Sequence, residues 1–298
     1  MIKRSIYIGN PMYISAKDEQ LVLRKPDDKD FAHTMSIEDL GYVELDHPHI
    51  TVTMTALQKL AAENCAVALC DQSHLPMALV LPLSGHSVHT ERMKPQLEAT
   101  LPLTKRLWQQ TIIAKIRNQA AVLKQFDKSY EPLLQKAEKV QSGDATNREA
   151  VAASYYWKTL FGKDFLRERE GDYPNNLLNY GYAILRAIIA RAIVGTGLLP
   201  AIGIHHHNRY NSYCLADDLM EPYRPFVDAL VYQYFLDNPA LLMLDRHAKQ
   251  SLLHIPALDV GWGEETRPLM NAATLTAACL WKCYNGERKM LQYPVFLS

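Results

Sequence analysis

A chain of 298 residues can bury one large core or two smaller ones, and two domains is the better starting expectation. With 48% hydrophobic and 21% charged residues it is not collagen, coiled coil or a disordered chain, and 32 basic against 32 acidic residues leave no global positive field, so any polyanion must be gripped by a local patch. The five cysteines form no C-x-x-C pair and "MIKRSIYIGN" carries no signal peptide, so a reducing cytoplasm is expected.

The first ninety residues read as β-rich. "RSIYIG" and "QLVLRK" are short apolar runs, "YVELDHPHITVT" is rich in β-branched residues, and "PMALVLPL" follows a turn-like "DQSH". "TALQKLAAEN" interrupts them with a short amphipathic helix, for which Thr55 is the expected N-cap. "SGHSVHTERM" is the expected linker, and His74, His86 and His89 read as surface residues of turn and linker.

From about residue 95 the period changes. "KPQLEATLPLTKRLWQQTIIAKIRNQAAVLKQF" repeats apolar positions at helical spacing, and further helices are predicted at 131–140, 147–161, 175–195, 217–236, 240–251 and 266–284. "LLNYGYAILRAIIARAIVGTG" is interrupted by Asn179, Arg186 and Arg191, which suits a buried helix better than a membrane span. Cys279 and Cys283, together with Tyr155, Tyr156, Trp157 and Tyr182, read as core. The predicted fold class is therefore α+β: an N-terminal β-rich, β-sandwich-like domain over 1–90, then a C-terminal α-helical domain over 91–298.

"IGIHHHNRYNSYCLADDLMEPYRP", residues 202–225, sets three histidines ahead of a cluster of carboxylates. Asp218 and Glu221, three apart on a helix predicted to begin near Asp217, share one face, while Asp217 suits the N-terminal cap. Acidic residues in a first helical turn are ordinary, and loop histidines are usually solvated, so this pair alone does not make a site. Adjacent side chains diverge, which speaks against three neighbouring histidines holding one zinc ion.

The wider pattern is more specific. Glu149 lies in "REAVAASYYWKTLFGKDFLRERE". Downstream come Asn175-x-Leu177-Leu178-x-Tyr180-Gly181-Tyr182, then Gly197-Leu198-x-Pro200-x-x-Gly203-x-x-His206, then Asp218-x-x-Glu221-x-x-Arg224-x-x-x-Asp228. In this order the motifs resemble the CRISPR-associated endonuclease/integrase family Cas-one (Cas1), and the "N-x-Y-x-L-A-D-D-L-M-E-P-Y-R-P" wording looks most like the version found beside Cas-nine effectors.

The resemblance implies a divalent metal held by Glu149, His206 and Glu221, with Asp218 next, and phosphodiester transesterification that inserts spacer DNA into a CRISPR array. It also implies a homodimer paired through the β domains, a dimer of the small partner Cas-two (Cas2), and double-stranded DNA, both protospacer and repeat. No membrane is implied. His206 is favoured over His205 and His207 by its offsets from Gly203 and Glu221. Carboxylates plus one imidazole suit Mg²⁺ or Mn²⁺. Lys158, Lys163, Arg167, Arg169, Arg186, Arg191 and Arg224 are candidate DNA contacts, with Arg167 and Arg224 nearest the site in sequence. The competing readings are a catalytically silent nucleic-acid-binding scaffold and a zinc hydrolase of small substrates.

Overall fold

The structure is a computed structural model and describes residues 3–169, 171–238 and 244–297. It divides into two compact units between Ser87 and Val88.

The first unit holds β1 (Arg4–Ile8), β2 (Met12–Lys17), β3 (Gln20–Lys25), β4 (Asp28–Ser36), β5 (Leu40–Leu45), β6 (Ile50–Val52), α1 (Met54–Ala62), β7 (Ala66–Cys70) and β8 (Pro76–Val80). They form two four-stranded sheets, ordered β1-β5-β7-β8 and β4-β3-β2-β6. The β1, β5 and β7 strands run parallel, and β8 returns antiparallel to β7. Alternating residues such as Met12 and Ile14 of β2, or Leu21 and Leu23 of β3, enter one core with Val43, Leu45, Val67 and the α1 residues Ala56 and Leu60. Three strands, β2, β4 and β7, lie outside the runs that the sequence pattern marks as β. The cap of α1 is Thr53, not Thr55: its side chain accepts the Ala56 N–H, so the helix starts earlier than the apolar pattern suggested.

The second unit is mainly helical: α2 (His89–Leu97), α3 (Leu101–Gln125), α4 (Glu131–Glu138), α5 (Arg148–Phe161), α6 (Asn175–Thr196), α7 (Cys214–Met220), α8 (Arg224–Asp237), α9 (Arg246–Leu252) and α10 (Leu269–Tyr284). The expected linker is shorter than predicted, because α2 already begins at His89. The long run from residue 94 breaks at Thr100, whose backbone is extended, and Pro102 sits in the first turn of α3, where its missing N–H costs nothing. Residues 240–243 of the helix predicted at 240–251 lie outside the described residues. A short hairpin, β9 (Asp259–Trp262) with β10 (Glu265–Pro268), replaces the start of the helix predicted at 266–284.

The centre of this unit is α6. Among the described residues it is the one helix long and apolar enough to cross a bilayer, yet 83% of its apolar window is buried here as core. Gly197, at φ +85°, ends it, and the Leu198 N–H returns to the Ile193 carbonyl. Tyr156, Tyr182, Cys279 and Cys283 are buried as expected, whereas Tyr155 and Trp157 are only partly buried. Arg191 is buried too, so it offers no guanidinium to an outside ligand.

Candidate metal centre

Glu149 is the second residue of α5. The preceding Asn147 adopts a left-handed backbone, φ +50°, and gives no side-chain cap. Asp144 supplies it instead, accepting the N–H of Arg148 at 2.8 Å and of Glu149 at 3.0 Å. Two of the exposed N–H groups of the helix start are thereby satisfied, and the Glu149 backbone is pinned.

Opposite it, α3 contributes a face that includes Trp108, Thr111 and Lys115. The Lys115 ammonium lies 2.6 Å from Glu149 Oε1 and 2.5 Å from Glu221 Oε2. Glu221 opens a single 3-10 turn, Glu221–Tyr223, between α7 and α8, and its other oxygen is 3.0 Å from Arg224 Nε. The contact with Glu149 is a hydrogen bond, whereas both contacts to Glu221 are ion pairs by distance without hydrogen-bond alignment. Burial raises the Glu221 pKa, but the charges of Arg224 and Lys115 outweigh it and hold the carboxyl below its usual range. Burial likewise works against the Lys115 ammonium, and Glu221 and Glu149 overcome it.

The histidines ride on a loop wrapped around Asp218. That fully buried carboxylate accepts the N–H groups of Ile204 at 2.6 Å, His205 at 2.8 Å and His206 at 3.3 Å, and it meets His206 Nδ1 at 2.5 Å. Gly203 permits the wrap: a Cβ there would stand 2.4 Å from the His206 carbonyl and 2.7 Å from Asp218 Oδ2. Trp108 stacks on His205 with ring centroids 4.3 Å apart and meets His206 edge-on at 5.7 Å. The hydrogen bond to Asp218 raises the His206 pKa, with Glu221 and Glu149 adding through space, while burial lowers that of His205. His207 is exposed.

Glu149 and Glu221 thus meet at one ammonium, and His206 sits in the field of both. Asp217 departs from its expected role: α7 starts at Cys214, and Asp217 pairs instead with Arg186 at 2.7 Å and Asn211 at 2.7 Å. Arg167 and Arg224 converge on Tyr182, their guanidinium carbons 5.2 and 4.8 Å from the ring centroid. The Tyr182 hydroxyl donates to buried Asp228, as does Tyr156 at 3.0 Å. Lys163 is exposed beyond the far end of α5, about 20 Å along the helix from Glu149.

Lys115, Trp108 and Asp144 lie outside the motifs that the sequence offers. A signal for the first existed: Lys115 interrupts the stripe formed by Trp108, Thr111, Ile112, Ile116 and Gln119, so helical periodicity puts it inside.

The donor set fits a hard divalent cation. Glu221 Oε2 is buried without an aligned hydrogen-bond donor, and it faces the same ammonium as Glu149 Oε1, so two anionic oxygens already gather around one positive charge. His206 spends Nδ1 on Asp218 and keeps Nε2 as a ligand atom.

The description "CRISPR associated protein Cas1" matches residues 6–239. A CRISPR-associated endonuclease Cas1 of Neisseria meningitidis serogroup C (strain 8013) is 34% identical over 255 residues, 85% of this chain and 83% of that protein. Among solved structures, a casposase bound to integration product superposes with a TM-score of 0.76 at 18% identity, covering 98% of this chain and 93% of that one. A Cas6-RT-Cas1–Cas2 complex gives 0.74 at 19% identity over 98% of this chain and 36% of the longer one. At such identities these two structures speak for the fold; the family match, spanning most of the chain, and the Neisseria relative carry the assignment. The chain belongs to the Cas1 family.

Proposed function

We propose that this protein is a metal-dependent DNA endonuclease and integrase that inserts spacer DNA into a CRISPR array. The observation that carries the reading is the convergence of Glu149 and Glu221 on the Lys115 ammonium, in the field of His206, within a Cas1 chain.

Glu149, Glu221 and His206 Nε2 would hold Mg²⁺ or Mn²⁺. Asp218 is better cast as a positioning residue than as a further ligand, since its oxygens already serve three backbone N–H groups and the His206 ring. When bound, the ion supplies Lewis acidity to a phosphoryl oxygen and favours ionisation of the attacking hydroxyl.

The chain's own groups do the rest. Asp218 and Trp108 set the His206 ring, so that its free nitrogen stays aimed without reorganisation. Arg224 and Arg167, gathered on Tyr182, suit two DNA phosphates, since a guanidinium can grip phosphate bidentately. Lys115 neutralises the two glutamates before an ion arrives and can turn to the phosphate once they are engaged. In strand transfer, the 3′-hydroxyl of the captured fragment attacks a repeat phosphorus. One P–O bond forms and one breaks, and the released 3′-oxygen takes a proton. The count of phosphodiesters is unchanged, so ATP is not required; with water as nucleophile the same site cuts DNA. Partners under this reading are double-stranded protospacer and repeat DNA, a second copy of the chain paired through the β-rich unit, and a Cas2 dimer, all in the cytoplasm.

The test is strand transfer on branched and repeat-containing DNA by wild type and Glu149→Ala, with Mn²⁺, Mg²⁺ or EDTA. Product that needs both the metal and Glu149 is expected. DNA binding without reaction, even with Cas2 present, would support a silent scaffold instead.

A further inference from the structure

The first unit carries a second group of ligand-type side chains. Glu44 of β5, Asp46 just beyond it and Cys70, the last residue of β7, bring ligand atoms within 4.8 Å of one another. Both carboxylates are buried. The three residues sit at the carboxyl ends of neighbouring parallel strands, where Leu45 registers with Leu69. Glu44 and Asp46, two apart on an extended chain, point the same way. This convergence is a property of the sheet, and neither composition nor a local motif announces it.

The surroundings have the form of a metal site's supporting shell. The Tyr42 hydroxyl donates to Glu44 Oε2 at 2.7 Å, and the Tyr7 hydroxyl, from β1, donates to Asp46 Oδ2 at 2.5 Å. His74 Nδ1 lies 2.7 Å from Asp46 Oδ1. His74 is exposed, as its place in a turn predicts, and it reaches the group through Asp46. A cavity of about 470 Å³ adjoins the group, lined by Asp46, His47, Cys70, Asp71, His74 and Met77 among others, and provides an entry path.

We infer that Glu44, Asp46 and Cys70 form a second metal site, for Zn²⁺ or a similar borderline transition dication, whose fourth position faces the cavity beside His74. A thiolate beside two carboxylates selects such an ion over Mg²⁺, which takes oxygen ligands almost alone. The hydroxyls of Tyr7 and Tyr42 hold the carboxylates in place. The bound ion ties β5 to the β7–β8 hairpin. The site is independent of Glu149, His206 and Glu221.

Cobalt(II) titration of the chelator-stripped, full-length protein tests this. We expect one equivalent of Co²⁺ to give a thiolate-to-cobalt charge-transfer band that Zn²⁺ abolishes. The band should be unchanged in Glu149→Ala and absent in Cys70→Ser. Tyr7→Phe should weaken binding about 10-fold, as loss of a supporting hydrogen bond does. No band in the wild type, a band that survives Cys70→Ser, or a band lost in Glu149→Ala overturns the inference. Should circular dichroism show Cys70→Ser unfolded, Asp46→Asn and Glu44→Gln decide with the thiol intact: weaker cobalt binding in both upholds the site, and wild-type affinity in either one removes it.

Discussion

Glu149 and Glu221 in the helical unit meet an ammonium and a guanidinium, whereas Glu44 and Asp46 in the β-rich unit meet tyrosine hydroxyls, a thiol and an imidazole. Both pairs are held in position before any ion is present, by opposite means. In the first, permanent cations offset the carboxylate charge, and under the proposed function an incoming divalent ion displaces one of them. In the second, the donors fix geometry and a sulfur selects the ion. Buried carboxylates therefore do not name their ligand; the chemistry of the groups around them does.

The comparison breaks most sharply in catalysis. Glu149→Ala should lower Mn²⁺-dependent strand transfer by about 10³-fold or more, the scale of losing one preorganised electrostatic group. His206→Ala should do the same without unfolding the protein, and His207→Ala should retain most of the activity. Equal losses from both histidine variants would show that the wrong ring has been assigned.

Lys115→Gln sharpens the difference in charge compensation. It leaves Glu149 and Glu221 facing each other without their shared ammonium, a loss of about 3–5 kcal/mol for a broken buried pair. Thermal unfolding should show the drop, and saturating Mn²⁺ should restore more stability to the variant than it adds to wild type. An equal increment in both would mean that the ion does not replace the ammonium.

Asp228 tests a third way of burying a carboxylate, with tyrosine donors inside the helical unit. Burial is the largest influence on it and outweighs the hydrogen bonds from Tyr182 and Tyr156, pushing its pKa up from 3.8 to about 7. A raised carboxyl binds its proton more tightly when folded, so its stabilising contribution is complete below the unfolded value and fades as pH rises through about 7. Asp228→Asn should flatten the decline in stability between about pH 4 and 8, a difference on the order of 4 kcal/mol at most across that window. Denaturant midpoints at several pH values would show parallel curves if the side chain were ionised throughout.

The smallest effect is expected at Gly203. Alanine there pushes a methyl against the His206 carbonyl and Asp218, costing about 1–3 kcal/mol and shifting the histidine loop. Strand transfer should fall more than Mn²⁺-independent DNA binding. Wild-type activity would show that the loop tolerates the shift.

Much of this molecule was legible in one dimension. The change from β runs to helical periodicity, the buried α6, and the ordered motifs carrying Glu149, His206 and Glu221 all depend on neighbours within a few turns of chain. Element ends were less legible. Thr53 and Thr55 both suit a cap, and only the hydrogen bond to Ala56 distinguishes them. Asp217 looked like a cap because the start of α7 lies in a segment of weak pattern, and its pairing with Arg186 crosses 31 positions.

Sequence by itself determined the two-part α+β plan and the family, because periodicity, turn residues and motif order are local properties that survive without knowledge of the chain's path. Tertiary structure decided what surrounds each carboxylate. Lys115 reaches Glu149 across 34 residues, Tyr7 reaches Asp46 across 39, and Tyr156 reaches Asp228 across 72. The charge balance of each site, and with it the ion that suits it, is set by those long-range contacts, because a buried charge responds to whatever packs within a few ångströms and not to what precedes it in sequence.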